Sequence, residues 1–261
     1  MALVLFEEKN ALGWLTLNQP ESRNALSLEM IGAIQAHLNH IKTRSDLKVI
    51  IIRGNGPVFC AGHNLKEFSI ATPDVGHIRR IFLQCSEMML SLQQMPQPVI
   101  AQVHGIATAA GCQLVAACDL AVAENGARFA TPGVRIGLFC TTPMVPLVRV
   151  IGRRRAMEML LSGRMISAAE AEAYGLVNRV VPPERLAEET ETWACELSQF
   201  SGFTLGFGKR AFYAQVDLAE TDAYRHAAES MVVNSLDGDA REGISAFLEK
   251  RSPVWAQGRD R

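Results

Sequence analysis

Residues 98–123 read PVIAQVHGIATAAGCQLVAACDLAVA, and this stretch decides the fold class. An apolar run of strand length at 99–103 leads through small residues into an apolar helical pattern at 111–118. No Asp, Glu, Lys or Arg occurs from residue 88 to residue 118, but prolines, glycines and glutamines interrupt that segment. A buried strand followed by a buried helix therefore explains it better than a membrane-spanning helix does, and we expect no membrane insertion.

The same order of strand and helix recurs on both sides of this stretch. Upstream, Ser27 is a typical N-cap for an amphipathic helix that extends to about Lys42, and the apolar run at 49–52 indicates a central strand. Downstream, short strand patterns occur at 121–123 and 128–130. Repetition of this order predicts an α/β domain with a largely parallel core.

The chain becomes mainly helical in pattern from Pro143 onward. No fixed-period repeat and no low-complexity linker separates this part from the rest. We expect the helical tail from about Ser201 to serve docking or oligomer formation instead of forming an independent domain. The predicted division is therefore a core at 1–200 and a C-terminal helical region at 201–261.

Composition limits the classes of partner and compartment. The 261 residues are 48% hydrophobic with a formal net charge of −1, and Lys and Arg are scattered, so nucleic acid is a poor partner. Six cysteines without a C-x-x-C pair indicate reduced, buried thiols. The opening MALVLFEEK carries no recognisable leader, so we expect a cytoplasmic protein. A mitochondrial matrix location would imply that a leader has been removed.

Several familiar site motifs are incomplete in this chain. Gly54 and Gly56 follow a strand pattern, but Phe59 stands where a dinucleotide fingerprint needs its third glycine. No G-x-S-x-G elbow supplies a hydrolase serine. His37 and His40 lie one helical turn apart without a third ligand nearby, so we expect no metal site.

Two glycine-containing loops are best understood as a pair. FCAGHNL at 59–65 follows one predicted strand, and HGIATAAGCQL at 104–114 follows another and begins a helix. Because neighbouring parallel strands open onto one crevice at their carboxyl ends, N–H groups from both loops can converge on one oxygen atom. This geometry would form an oxyanion hole, although glycine turns that serve packing alone would leave the same pattern.

Longer phrases of the sequence carry a resemblance to a known family. They are VFCAGHNLKE at 58–67, the stretch at 98–123, FATPGVRIGL at 129–138, RNAL at 23–26 and REGISAFLEKR at 241–251. Together they resemble the enoyl-CoA hydratase/isomerase (crotonase) superfamily, in order and over essentially the whole chain. The resemblance implies an α/β fold in which ββα units form a spiral core, with a C-terminal helical region that builds trimers or dimers of trimers.

The resemblance also implies an acyl-CoA thioester as ligand, with coenzyme A as part of the substrate and no separate cofactor. By position, the main-chain N–H groups of His63 and Ala110 would hold the thioester oxygen and the charge of its enolate. The coenzyme A path would be lined by Arg23, Ala25, Ala61, Asn64, Leu65, Lys66 and Lys250. In some members the lysine that matches Lys250 comes from a neighbouring subunit, and Met231 stands where the hydratases place an aromatic residue.

The catalytic carboxylates of the family are missing from this chain. At the two positions where the hydratases carry glutamates stand Gln113 and Gly133, and where related isomerases carry an acid stands Thr141. No acid occurs between Glu124 and Glu158. A positioned general acid or base contributes roughly 10²- to 10⁴-fold to a rate, so losing both should nearly abolish hydration. Oxyanion stabilisation survives, because it depends on main-chain N–H groups.

These observations leave three functions open. We expect a member of the family that processes acyl-CoA thioesters, is hydratase-like by kinship and has weak or absent hydration. A decarboxylase of malonyl-type thioesters or a thioester hydrolase is one alternative, and a non-catalytic acyl-CoA-binding protein is another. If the pocket retains the hydratase shape, the double substitution Gln113→Glu and Gly133→Glu should gain hydration.

Overall fold

The computed structural model describes residues 2–68 and 72–256. Within these ranges the strands are β1 (Val4–Lys9), β2 (Leu12–Leu17), β3 (Val49–Gly54), β4 (Val99–Val103), β5 (Ile106–Thr108), β6 (Leu120–Glu124), β7 (Arg128–Ala130), β8 (Ile166–Ser167) and β9 (Arg179–Val181). The α-helices are α1 (Leu28–Ile41), α2 (Val75–Gln94), α3 (Ala110–Ala117), α4 (Met144–Ile151), α5 (Arg153–Ser162), α6 (Ala168–Tyr174), α7 (Leu186–Ser198), α8 (Gly202–Gln215), α9 (Glu220–Ser235) and α10 (Gly238–Glu249). Short 3₁₀ turns occupy Pro20–Ser22, Leu65–Glu67, Pro132–Ile136 and Pro183–Arg185.

Six strands form the main sheet in the order β1-β2-β3-β4-β6-β9. β1 and β2 make an antiparallel hairpin, and the remaining neighbours in this sheet pair in parallel. A smaller sheet joins β5 to β7 in parallel and β7 to β8 in antiparallel fashion. The predicted α/β core with a largely parallel sheet is therefore confirmed.

Strand β3 shows why the central strands read as continuous apolar runs. Ile50 and Ile52 belong to the large core cluster that includes buried residues of α1, α2 and α3. Val49 and Ile51 point to the other face and join a second cluster, which includes Leu186 of α7. Because both faces of this parallel sheet are covered by helices, alternation of apolar and polar residues is not required.

Local signals explain where two of the helices begin. The Ser27 side chain accepts a hydrogen bond from the Met30 N–H at 3.1 Å and so caps α1, as its position predicts. Helix α3 starts at Ala110, one residue before the predicted start, without a side-chain cap. The N-terminal N–H groups of α3 are therefore available to a ligand, whereas those of α1 are partly occupied.

The C-terminal helices α8, α9 and α10 differ from the core helices in burial. Helix α9 contains no buried residue, and α8 and α10 contain only one and two. Large apolar side chains on and between them are more than 45% exposed: Phe212, Val216, Leu218, Tyr224, Met231, Val232, Val233, Leu236, Ile244, Phe247 and Leu248. The predicted boundary at 200/201 falls between α7 and α8, but the division into two regions stays a prediction.

Two further expectations concern the state of the cysteines and membrane insertion. Cys60, Cys85, Cys112, Cys118 and Cys140 are buried and unpaired, and Cys195 is partly buried, as their apolar neighbours predict. Among the helices of residues 2–68 and 72–256, none has both the length and the apolar character that a bilayer crossing needs.

Candidate functional site

The beginning of α3 has an unusual backbone. Ala109, the residue before the helix, has φ 50° and ψ −117°, a conformation that side chains with a Cβ rarely adopt. Its N–H donates to the Ala130 carbonyl at 2.9 Å, which fixes the turn against β7. Within the described part of the chain, the next N–H group, that of Ala110, donates to no protein acceptor.

The loop at 59–65 is held by main-chain hydrogen bonds on both sides of His63. The Leu26 N–H donates to the Gly62 carbonyl at 2.8 Å, and the Asn64 N–H donates to the Leu26 carbonyl at 3.3 Å. His63 lies between these two bonds, and its own N–H has no acceptor among the residues that the structure describes. Each loop therefore presents one unoccupied main-chain donor.

The two loops meet at two glycines. Gly62 has φ +92°, and a Cβ built there would lie 3.2 Å from the Ala110 nitrogen and 2.9 Å from the Thr108 carbonyl oxygen. A Cβ on Gly111 would lie 2.2 Å from the Cys60 carbonyl oxygen. Only glycine permits this close approach, so the structure brings the loops of His63 and Ala110 together. Their role as an oxyanion hole stays a prediction.

The His63 side chain is enclosed next to this pair of donors. Its Nδ1 lies 3.3 Å from the Leu26 carbonyl oxygen, and its ring makes edge contacts with Phe82 at 5.3 Å and Phe68 at 6.5 Å between centroids. Burial lowers the pKa of His63 below its ordinary value. Since a carbonyl only accepts, Nδ1 carries the proton, and Nε2 is a buried acceptor without a partner in the described residues.

Two neutral side chains stand near the start of α3 with unsatisfied oxygens. Gln113 is 3% exposed and Thr131 is fully buried. The Gln113 Oε1 and the Thr131 Oγ1 have no hydrogen-bond partner among the described residues. An amide can orient a hydroxyl or a water, but it is not a practical proton acceptor at neutral pH. The two unpaired oxygens near the start of α3 are therefore uncharged.

Gly133 has no space for a side chain. A Cβ there would lie 2.3 Å from the Leu138 carbonyl oxygen and 2.8 Å from the Cys140 Sγ. The turn is closed by the Leu138 N–H, which donates to the Gly133 carbonyl at 2.9 Å. A glutamate at Gly133 would require this turn to open. The expectation that the double substitution Gln113→Glu and Gly133→Glu gains hydration, which was conditional on a hydratase-shaped pocket, stays a prediction.

Cys140 lies at this turn, although no motif of the chain singled it out. Its thiol occupies the space beside Gly133 where a side chain at that position would begin. Burial raises the pKa of Cys140, and the main-chain N–H of Gly133 opposes this effect. Thr141, the predicted substitute for the isomerase acid, is exposed, and its N–H donates to the Phe139 carbonyl at 2.7 Å.

Most of the residues assigned to the coenzyme A path lie around one loop. The Ala61 N–H donates to the carbonyl of Arg23, two residues before Ala25, at 3.0 Å. The Asn64 side chain accepts from the Lys66 N–H at 3.2 Å and so caps the 3₁₀ turn in which Leu65 is 52% exposed. Their contact with coenzyme A stays a prediction.

Lys250 is separate from that group. It follows α10 in a left-handed conformation, and no hydrogen bond or ion pair among the described residues joins it to the loop of residues 61–66. Met231 is 66% exposed on α9. The resemblance allows Lys250 to act across a subunit boundary, and that assignment is likewise untested.

Comparison with known proteins places this geometry in context. Residues 7–259 match the family described as enoyl-CoA hydratase/isomerase. The Xenopus laevis protein named "Enoyl-CoA hydratase domain-containing protein 3, mitochondrial" is 46% identical over 253 residues, which cover 97% of this chain and 86% of the relative. Because that name places the relative in mitochondria, the comparison does not support the cytoplasmic expectation for this chain.

Solved structures agree with the fold. The human enoyl-CoA hydratase domain-containing protein 3 superposes with a TM-score of 0.94 at 44% identity, covering 97% of this chain and all of that one. An enoyl-CoA hydratase from Mycobacterium smegmatis also gives 0.94 at 44% identity, covering 97% and 98% of the two chains. The expected crotonase-type α/β fold is thus confirmed.

Proposed function

The chain belongs to the enoyl-CoA hydratase/isomerase family, and on this premise we propose that it binds acyl-CoA thioesters and stabilises their enolate without efficient hydration. The observation that carries the proposal is the pair of unoccupied N–H groups, on His63 and Ala110, at the contact around Gly62. One such donor contributes about 10²- to 10³-fold to a rate when negative charge develops on the bound oxygen.

The proposal denies efficient hydration because the two catalytic glutamates of the hydratases have no counterpart in this chain. Gln113 and Gly133 stand at the two positions where the hydratases carry glutamates, and no acid occurs between Glu124 and Glu158. The Glu124 Oε1 is itself engaged by the Gly105 N–H at 2.9 Å. Hydration needs a base for the water and an acid for the α-carbon, and each is worth about 10²- to 10⁴-fold.

Reactions that need only an enolate sink fit this site. In the decarboxylation of a malonyl-type thioester, the bond between the α-carbon and the carboxylate breaks, carbon dioxide leaves, and the electron pair passes to the thioester oxygen. Solvent then protonates the α-carbon. The donors of His63 and Ala110 would stabilise the oxygen, so no side-chain base would be required. Thioester hydrolysis would use the same donors for a tetrahedral oxyanion.

Binding without turnover is the second candidate. It is favoured by the neutral, unsatisfied oxygens of Gln113 and Thr131, which can hold a hydroxyl or a water but cannot accept a proton at neutral pH. Such a protein would keep the thioester polarised and release it unchanged. The compartment of its ligand belongs to the same proposal, and the mitochondrial name of the relative favours the matrix over the cytosol.

We also propose that the chain assembles as a homotrimer or a dimer of trimers through α8, α9 and α10. The support is the set of exposed apolar side chains on these helices and the absence of any buried residue in α9. Apolar surface of this kind marks an interface in most soluble proteins. Light scattering should give a trimer or hexamer mass, and a monomer at micromolar concentration would contradict the assignment.

A substrate panel on the wild-type protein tests the function. It comprises crotonyl-CoA hydration, malonyl-type decarboxylation, thioester hydrolysis, exchange of the α-proton of butyryl-CoA in deuterium oxide, and calorimetric binding of butyryl-CoA. We expect binding together with decarboxylation, whereas hydration and α-proton exchange, which both need a base, should stay close to background. Binding with no reaction would select the second candidate. Robust hydration would refute the argument from the missing carboxylates, and absence of binding would refute both candidates.

A further inference from the structure

We propose that Asn24 is a positioning residue that sets the geometry of the His63 and Ala110 donors, an assignment that rests on the function proposed above. Asn24 lies in the RNAL stretch, between two residues assigned to the coenzyme A path. It is fully buried, although asparagine is usually found at the surface. Its burial needs an explanation from the contacts that its amide makes.

The side-chain amide of Asn24 is saturated by main-chain groups. Its Nδ2 lies 2.9 Å from the Asn55 carbonyl oxygen, 3.0 Å from that of Val58 and 3.1 Å from that of Phe59. Its Oδ1 accepts from the Gln19 N–H at 2.9 Å. Because carbonyls only accept and N–H groups only donate, the amide orientation is fixed.

The three carbonyls belong to one segment, which runs from the end of β3 towards His63. Residues 55–59 contain no regular element, so their path depends on the bonds that their carbonyls accept. Asn24 therefore ties the entrance of the 59–65 loop to the turn at 19–24. A residue in this position controls where the loop begins its approach to α3.

The residues on either side of Asn24 also bond to the 59–65 loop. The Cys60 Sγ lies 3.1 Å from the Asn24 carbonyl oxygen. The Ala61 N–H donates to the carbonyl of Arg23, the residue before Asn24. The Leu26 N–H then holds the Gly62 carbonyl at 2.8 Å. Contacts with residues 23–26 thus fix the path of the chain from residue 60 to residue 64. His63 lies within this fixed stretch, and its N–H points to none of these partners.

The backbone conformation at Asn24 also favours asparagine at this position. Asn24 has φ 53° and follows Arg23 at φ 56°, so two successive non-glycine residues adopt the left-handed conformation. Asparagine tolerates this region better than most residues do. The Asn24 N–H donates to the Gln19 carbonyl at 2.9 Å, which closes the turn. Both the backbone and the side chain of this position therefore favour asparagine.

Replacement of the amide by a carboxylate tests the role without changing the shape. In Asn24→Asp, ionised oxygens would face the three carbonyls that now accept from Nδ2, so the segment at 55–59 should shift and carry the 59–65 loop with it. Asn18→Asp is the matched control. The Asn18 Oδ1 accepts from the Asn55 side chain at 2.9 Å and its Nδ2 donates to the Ala2 carbonyl at 2.9 Å, so the new carboxylate would face a carbonyl outside the 59–65 loop. Both variants should be compared in butyryl-CoA labelled with ¹³C at the thioester carbonyl.

The decisive readout is the carbonyl stretch of the bound thioester, which reports the two donors directly. We expect a lowered frequency on the wild-type protein and on Asn18→Asp, and a smaller lowering on Asn24→Asp. The rate of decarboxylation of a malonyl-type thioester should fall, by up to the roughly 10²- to 10³-fold that one oxyanion donor contributes, while the dissociation constant for free coenzyme A changes less than about threefold. Acidification that protonates the new carboxyl should restore part of the shift.

A second variant tests the positioning role of Asn24 if Asn24→Asp does not fold. Cys60→Ala removes the thiol that contacts the Asn24 carbonyl and the Gly62 main chain, and we expect it to reduce the carbonyl shift without altering coenzyme A affinity. An unchanged shift in the folded variants would overturn the role of Asn24. Equal losses of carbonyl shift and coenzyme A affinity would also overturn it, because a general structural defect would then suffice. An unshifted carbonyl on the wild-type protein would instead refute the proposed function.

Discussion

The polar groups at the two ends of helix α3 differ in whether they have hydrogen-bond partners. At the N-terminal end, the Ala110 N–H and the Gln113 Oε1 have no partner among the described residues. At the C-terminal end, Asp119 accepts from Lys209 Nζ at 2.6 Å, from the Tyr213 hydroxyl at 2.9 Å and from a main-chain N–H at 2.7 Å. One end is neutral and unsatisfied, and the other is charged and saturated.

This difference separates a structural site from a functional one. Lys209 Nζ also donates to the carbonyls of Leu92 at 2.6 Å and Gln97 at 2.9 Å, so its three hydrogens all have acceptors. Burial nevertheless lowers the pKa of Lys209 despite the neighbouring Asp119. Native proteins satisfy almost all buried polar groups. The saturated hydrogen bonds at the C-terminal end therefore anchor α8 to the core, while the unpaired groups at the N-terminal end fit the ligand-binding role proposed for them.

The largest expected effect is at the saturated end. Lys209→Met should lower the free energy of unfolding by about 3–5 kcal/mol, because it leaves Asp119 buried without its cation. Urea denaturation measures the change. The control is Lys9→Met, which removes an exposed pair with Glu191 and should cost less than about 1 kcal/mol. Equal losses in the two variants would mean that the Lys209 pair does not anchor α8.

The next effect is at the unsatisfied end and appears in the chemistry. Gly62→Ala places a Cβ 2.9 Å from the Thr108 carbonyl oxygen and so pushes the two loops apart. We expect the decarboxylation of a malonyl-type thioester to fall by about 10²- to 10³-fold, as for removal of an oxyanion donor. Gly32→Ala is the control, since a Cβ there meets nothing within 4 Å. A folded Gly62→Ala variant with undiminished decarboxylation would contradict the pairing of the loops.

A third test addresses the missing carboxylate at Gly133. We expect Gln113→Glu combined with Gly133→Glu to gain no hydration and to lose about 1–3 kcal/mol of stability, because the new side chain collides with the turn at Leu138. Gln113→Glu alone is the control, since it leaves that turn intact. Crotonyl-CoA hydration and thermal denaturation measure both effects. Hydration by the double variant at the rate of an ordinary hydratase would show that the turn opens readily.

The smallest effect concerns the pH dependence that His63 adds to stability. Its folded pKa is lowered by burial, so the unfolded chain binds the extra proton more readily, and stability should decline as the pH falls through the ordinary histidine value near 6.5. His63→Gln should flatten the stability profile between about pH 7 and pH 5. A slope unaffected by His63→Gln would place the acid sensitivity elsewhere.

Sequence reasoning succeeded where local pattern determines structure. The apolar period of α3, the Ser27 cap and the run at 49–52 each specify their own element, and all three were confirmed. The pairing of the two glycine loops also followed, because the carboxyl ends of parallel strands lie together. These features depend on neighbours in the chain or on general rules of sheet topology.

The remaining features depend on contacts that no local pattern reports. The turn that fills the space at Gly133 is closed by residues whose conformation is set by the tertiary fold. Asn24 acts on carbonyls 31 to 35 residues away, and Lys209 meets Asp119 across 90 residues. The family resemblance supplied the positions of the site, but the reason why a glutamate does not fit at Gly133 required coordinates.

The strained turn at Ala109 has a consequence for how quickly a ligand can be received. A non-glycine residue at φ 50° and ψ −117° costs on the order of 1–3 kcal/mol, and this cost is met when the chain folds. The Ala110 N–H is thus without a protein acceptor, among the described residues, before any ligand arrives. Under the proposed function, this turn then needs no rearrangement to bind a thioester oxygen. Thioester binding should accordingly proceed as a single concentration-dependent step in stopped-flow records, without a slow conformational phase.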